Sequence, residues 1–211
     1  MGIHDGLFSN KLRKSAGDVT FTTWKGVPVF KKRVREVRNP RTNAQMIQRA
    51  RMKALSELGS LAIQAIRYGF KKFATKKSEY NVFSSENIAE VTGFPDLTSN
   101  VNFPNLIFSK GNLQGIDGLS APNIAGDDVT VTWTAPGAGD ADENHEVILL
   151  AIRTNRAATA DTVPLVAKTA GTATAVIPDV QAGDTIEVYA FARNPLNGEV
   201  SNTFYAGQVT A

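Results

Sequence analysis

The sequence predicts an α+β chain: an N-terminal β-hairpin, a long interrupted helix, and a C-terminal antiparallel β-sandwich. Three observations predict it. Lys25-Gly26 separates two alternating runs, residues 19–24 and 27–34. Thr42-Asn43-Ala44-Gln45 opens a stretch with apolar residues at helical spacing. From Asp127 onward the apolar period becomes two, with turn signals between short runs.

Residues 1–17 read as a polar lead-in containing Gly and Lys. In the hairpin, a glycine between two strand-like runs takes φ > 0 without a Cβ clash. Pro28 lacks an N–H and predicts an edge position. Asn39-Pro40 then ends the strand. Thr42 and Gln45 form a capping box, the hydroxyl accepting from the Gln45 N–H and the Gln45 side chain reaching back. Beyond it Ile47, Ala50, Ala54 and Leu58 share one helix face, Arg49 and Lys53 share another, and Arg51 falls near the apolar one. The helical pattern continues to residue 74, with interruptions expected at Gly59 and Gly69. Lys71, Lys72, Lys76 and Lys77 near its end suit the helix macrodipole.

A short helix is expected over residues 80–91, with Ser84-Ser85-Glu86 offering caps. Residues 92–126 are rich in Gly and Pro, Gly93 and Pro95 among them, and predict a small hairpin turning at Lys110-Gly111. Strands follow near Val129–Trp133 and over 146–152, 172–177, 185–192 and 200–205. The expected organisation is a basic hairpin-plus-helix module over 1–95, a junction over 96–126, and a sandwich over 127–211.

Charge is the clearest functional signal. The net charge of +3 conceals a polarity: residues 1–87 carry 18 Lys and Arg against 6 Asp and Glu, and residues 88–211 carry 5 against 14. Lys31, Lys32, Arg33, Arg35, Arg38, Arg41, Arg49, Arg51 and Lys53 cluster in one stretch, the footprint of a polyanion or partner site. The competing reading is a charged edge strand and helix face that guard against aggregation. Of these cations, Lys31, Lys32, Arg33, Arg35, Arg38, Arg41, Arg49 and Lys53 are the candidate binding residues.

Chemistry is hard to find. There is no cysteine. His4 and His145 each lack a second histidine at ligand spacing. Asp140-Ala141-Asp142-Glu143 and Asp127-Asp128 lack calcium-loop spacing and read as solvated acidic loops. No phosphate loop and no G-x-S-x-G elbow occurs. The expectation is therefore no enzyme, no cofactor, no metal and no small-molecule substrate. No apolar run is long enough to span a bilayer and the start has no signal-peptide pattern, so a virion or cytoplasmic location without membrane contact is expected.

Two resemblances add to this. The run VTVTWTAP, followed later by AGDTIEVYAFARN, resembles strands B and F of the fibronectin type III and immunoglobulin-like class, with Trp133 as core aromatic and Tyr189 on strand F. The motif Trp24-Lys25-Gly26 followed by Asn39-Pro40-Arg41-Thr42, Ala44-Gln45 and Gln48-Arg49 resembles an uncharacterised protein family best represented in Bacteroidota and their phages. Ser78-Glu79-Tyr80-Asn81-Val82-Phe83 and Ser201-Asn202-Thr203-Phe204-Tyr205-Ala206-Gly207 look like two further motifs of that family. Together with the charge polarity and an Ig-like module without a site, the resemblance leads to the expectation of a minor or accessory virion protein, oligomeric in an assembly, with other virion proteins or nucleic acid as partners. The alternatives are a soluble intracellular nucleic-acid-binding protein and a bacterial surface or adhesion module.

Overall fold

A computed structural model describes residues 2–3, 14–36, 41–92, 100–155 and 158–211. Within it the chain divides into two compact units, Met1–Gln45 and Met46–Ala211, the division falling in the first turn of a helix.

The first unit is a four-stranded antiparallel sheet in the order β1-β4-β3-β2: Gly2–Ile3 (β1), Val27–Lys32 (β4), Val19–Trp24 (β3) and Lys14–Ala16 (β2). Trp24 pairs with Val27 across Lys25 and Gly26, whose φ values of 45° and 83° make the two-residue turn that matches strand twist. β4 is an interior strand, and Pro28 lies just past its short pairing with β1 at Val29 and Phe30. The expected strand end at Asn39-Pro40 lies outside the described residues, as does most of the lead-in.

In the second unit, α1 (Asn43–Leu61), α2 (Ile63–Gly69) and α3 (Glu79–Asn87) precede a pair of two-residue strands, β5 (Val91–Thr92) and β6 (Asn100–Val101). Half of the capping box is present: Thr42 Oγ1 accepts from Gln45 N at 3.4 Å. The helix breaks at Ala62 rather than at Gly59. There the Ser60 hydroxyl donates to Glu57 O at 2.7 Å, a back-bond that bends helices. Gly59 stays helical because Tyr80 and Phe83 pack against its bare Cα. The cap of α3 is Ser78, which accepts from Asn81 N at 3.2 Å, not the Ser84-Ser85-Glu86 group.

Two sheets form a sandwich: β11-β8-β7 (Thr172–Val176, Asp128–Thr132, Asn123–Ala125) and β10-β9-β12-β13 (Thr159–Ala167, Glu146–Arg153, Thr185–Arg193, Phe204–Thr210). The last strand runs over 204–210, not 200–205, and Val200 makes only an isolated bridge to Arg193. Between the sheets lie Val129, Val131, Trp133, Leu149, Ile186 and Val188. Trp133 is buried there and its indole N–H donates to Lys168 O at 2.7 Å.

The central strands β9 and β12 are buried on both faces. Their second face, carrying Ile148, Leu150, Ile152, Tyr189 and Phe191, packs with Leu55, Leu58, Ile66, Phe70 and Phe83 of the helices. The protein is therefore mixed α and β, with a helical layer on one side of the sandwich. Each fully buried side chain of this size contributes about 1.5–3 kcal/mol. Tyr189 lies on β12 as expected but points toward the helices, its hydroxyl donating to Phe103 O at 2.9 Å. Burial raises its pKa well above the ordinary tyrosine value.

Residues 103–120 form a strap rather than the expected hairpin at Lys110-Gly111. Several of their backbone groups are satisfied from outside the segment. Asn87, fully buried, donates to Phe83 O and Ile107 O and accepts from Ile107 N at 2.7 Å. Thr203 Oγ1 accepts from both Phe108 N and Ser109 N. Phe108 then sits between Phe83 and Tyr189, with ring centroids 5.4 and 4.7 Å away.

Candidate polyanion-binding surface

Residues 1–45 carry ten Lys and Arg against three Asp and Glu, while residues 46–211 are net acidic. Backbone pairing decides where the hairpin cations point. Lys31 pairs with Thr20 and Lys32 with Val19, so the two lysines leave the sheet on opposite faces. Lys32, Arg33 and Arg35 line one open recess of about 480 Å³ together with Asp18. Arg35 is ion-paired to Asp18 at 2.5 Å and Arg33 N donates to Asp18 O, which ties the strand end back to the β2–β3 turn. That pair is exposed and adds little stability. Arg41 is exposed just before α1, and Arg38 lies outside the described residues.

On α1, Arg49 and Lys53 are exposed and four residues apart, and Lys53 lies 3.9 Å from Glu57. Arg51 is half-buried, and its Nε has no hydrogen-bond partner. The hairpin set thus sits together in the first unit, while Arg49 and Lys53 belong to the second.

Ion pairing separates four of these cations from those of residues 88–211. Lys110, Arg153, Lys168 and Arg193, all the described Lys and Arg of residues 88–211, make ion pairs with Glu86, Asp184, Asp142 and Glu146. Among the described residues, Lys31, Lys32, Arg33 and Arg41 make none.

Two of the paired cations were missed by sequence reasoning. Lys168, almost fully buried, donates to Asp142 Oδ2 and to Gly115 O, the latter at 2.9 Å. The Asp142 carboxyl is held below the ordinary aspartate range by that Lys168 hydrogen bond. At the other end of the sandwich Arg153, also buried, donates to Pro178 O and Asp179 O and lies 3.5 Å from Asp184. The acidic loops are correspondingly structural rather than merely solvated. Asp140 accepts from Gly137 N, Glu143 from Gly139 N, and Asp127 from Val180 N. The available signal was their setting: a lone cation inside a strongly acidic half finds a carboxylate.

His145 is buried at 8 % exposure, just ahead of β9. Among the described residues no three His, Cys, Asp or Glu side chains gather to hold a metal ion, and no helix is long and apolar enough to cross a membrane.

None of the curated proteins matches the chain at significant similarity. One family profile matches nearly its whole length, residues 11–207. The chain belongs to that family, DUF6266, a family of unknown function.

Proposed function

We propose that the chain is a non-enzymatic structural component of a bacteriophage virion, a minor or accessory protein whose basic N-terminal unit docks on nucleic acid or on an acidic protein surface. The observation that carries this reading is the contrast in pairing. The described cations of residues 88–211 are consumed in internal ion pairs, whereas Lys31, Lys32, Arg33 and Arg41 remain available to an outside partner. Unneutralised cations on a small sheet create the field that draws an anionic surface. The sandwich is the rigid part of the design, braced at both ends by buried pairs. Its order of three strands against four supports a fibronectin type III-like reading, an architecture that commonly serves as a spacer or docking module. The virion assignment rests on the resemblance of the Trp24-Lys25-Gly26 and Asn39-Pro40-Arg41-Thr42 motifs to a family found in phages.

Mass spectrometry of purified virions tests it. Peptides from both units are expected at a stoichiometry that persists through density-gradient purification. A pure particle preparation without this chain would reject the reading.

A further inference from the structure

We propose that the exposed face of α2 is a second contact surface for a nucleic-acid backbone, in the unit that does not carry the hairpin. Gln64, Arg67, Tyr68 and Lys71 are spaced i, i+3, i+4 and i+7, so they share one side of the helix and of the turn that follows it. The opposite side, Ala65, Ile66 and Gly69, is buried. The four residues line one open recess of about 470 Å³. Among the described residues, the side chains of Gln64, Arg67 and Lys71 make no hydrogen bond or ion pair.

The neighbours explain why these charges stay available. Lys72 is neutralised by Glu199 at 3.0 Å and Lys110 by Glu86 at 3.1 Å, so the nearby carboxylates already have partners. The tyrosine is positioned from behind: the Arg193 guanidinium lies 5.3 Å from the Tyr68 ring centroid and is itself anchored to Glu146 at 3.0 Å. The recess therefore offers a guanidinium, an ammonium and an amide beside a fixed aromatic ring. That combination suits phosphate oxygens with an adjacent base.

The surface uses different residues from the hairpin site, so the two ideas fail separately. The test is fluorescence anisotropy of the full chain with labelled single- and double-stranded DNA over a range of salt. Wild type is compared with Arg67→Ala/Lys71→Ala and with the reversal Arg67→Glu. All substituted side chains are exposed, and circular dichroism with thermal unfolding checks that each variant folds as wild type does. The double variant is expected to flatten the slope of log affinity against log salt by about 1.4 on single strands, two phosphates at about 0.7 each. Arg67→Glu should weaken binding further than the loss of one contact. An unchanged slope with unchanged affinity in both variants would overturn the proposal. Complete absence of binding by wild type at low salt would overturn it too. Weaker binding by a Lys31→Ala/Lys32→Ala variant that falls further when Arg67 and Lys71 are also replaced would support this surface as separate from the hairpin.

Discussion

Gly69→Ala is expected to destabilise the protein by roughly 3 kcal/mol or more, the opposite sign to its effect in an isolated helix. In a solvent-exposed helix, Gly to Ala gains about 1 kcal/mol. Here a Cβ on Gly69 would stand 2.0 Å from Phe108 O and 2.8 Å from Ser109 Cα. Both are backbone atoms, and neither can swing aside. The strap is held there by Lys110 N donating to Gly69 O, and by Thr203 on the strap's other side. Moving it would pull Phe108 from between Phe83 and Tyr189. Gly59→Ala is the internal comparison. Its nearest neighbour would be the Tyr80 ring at 2.7 Å, a side chain that can rotate. Guanidinium unfolding followed by circular dichroism should place Gly69→Ala well below Gly59→Ala. Equal stabilities, or a gain at Gly69, would contradict the close approach.

The second large effect is expected at Lys168. Lys168→Met should cost about 3–5 kcal/mol at neutral pH, because it leaves a carboxylate and a backbone carbonyl without their buried donor. Lys168 is 1 % exposed, whereas the Asp142 side chain, at 14 %, keeps some access to water, which places the loss toward the lower end of that range. The pair also sets an acid dependence. Asp142 has a folded pKa depressed below its ordinary value by the Lys168 hydrogen bond. Its stabilisation is therefore fully present above the unfolded aspartate pKa of about 4, and is lost as pH falls through the lower folded value. Wild type and Lys168→Met should differ most near pH 7, and the gap should narrow as pH drops below about 4. Urea unfolding at pH 7 and pH 3 checks this. A gap of the same size at both values would show that the ion pair contributes nothing and that only packing was removed.

Much of this architecture could be read from local chemistry. The turn at Lys25-Gly26, the Thr42 cap, the core position of Trp133 and most sandwich strands follow from short-range signals in the chain. The largest features that the sequence leaves open are long-range. The helix face at Leu55, Leu58, Ile66 and Phe70 was plain, but its partner was not. The clue lay in Val147-Ile148-Leu149-Leu150-Ala151-Ile152, a run without alternation, as expected for a strand covered on both faces. β10 is hard to read in the sequence because Pro164 interrupts it. The structure accommodates that proline at a register shift between Val163 and Val166, with Leu165 at φ 61°. Ser78 caps α3 while Ser84 and Ser85 lie inside it, and the local sequence offers a serine at both places.

The candidate site was legible as a composition and not as a geometry. Clustering identified the cations, but alternation along β4 sends Lys31 and Lys32 to opposite faces, and Asp18 claims Arg35. Nothing in the local sequence showed that Lys168 and Arg153 would be buried, since their partners are 26 and 31 residues away. Pairing, rather than charge count, distinguishes the cations that build the fold from those that stay open among the described residues.

The most direct measurement is the salt-dependent affinity of the full chain for DNA, wild type against Lys31→Ala/Lys32→Ala/Arg33→Ala/Arg41→Ala. The account predicts binding that falls steeply with salt, with the quadruple variant flattening the slope by about 0.9 for each duplex phosphate contact removed. Strong binding with the same slope in the variant would contradict the assignment of the N-terminal unit as the docking surface.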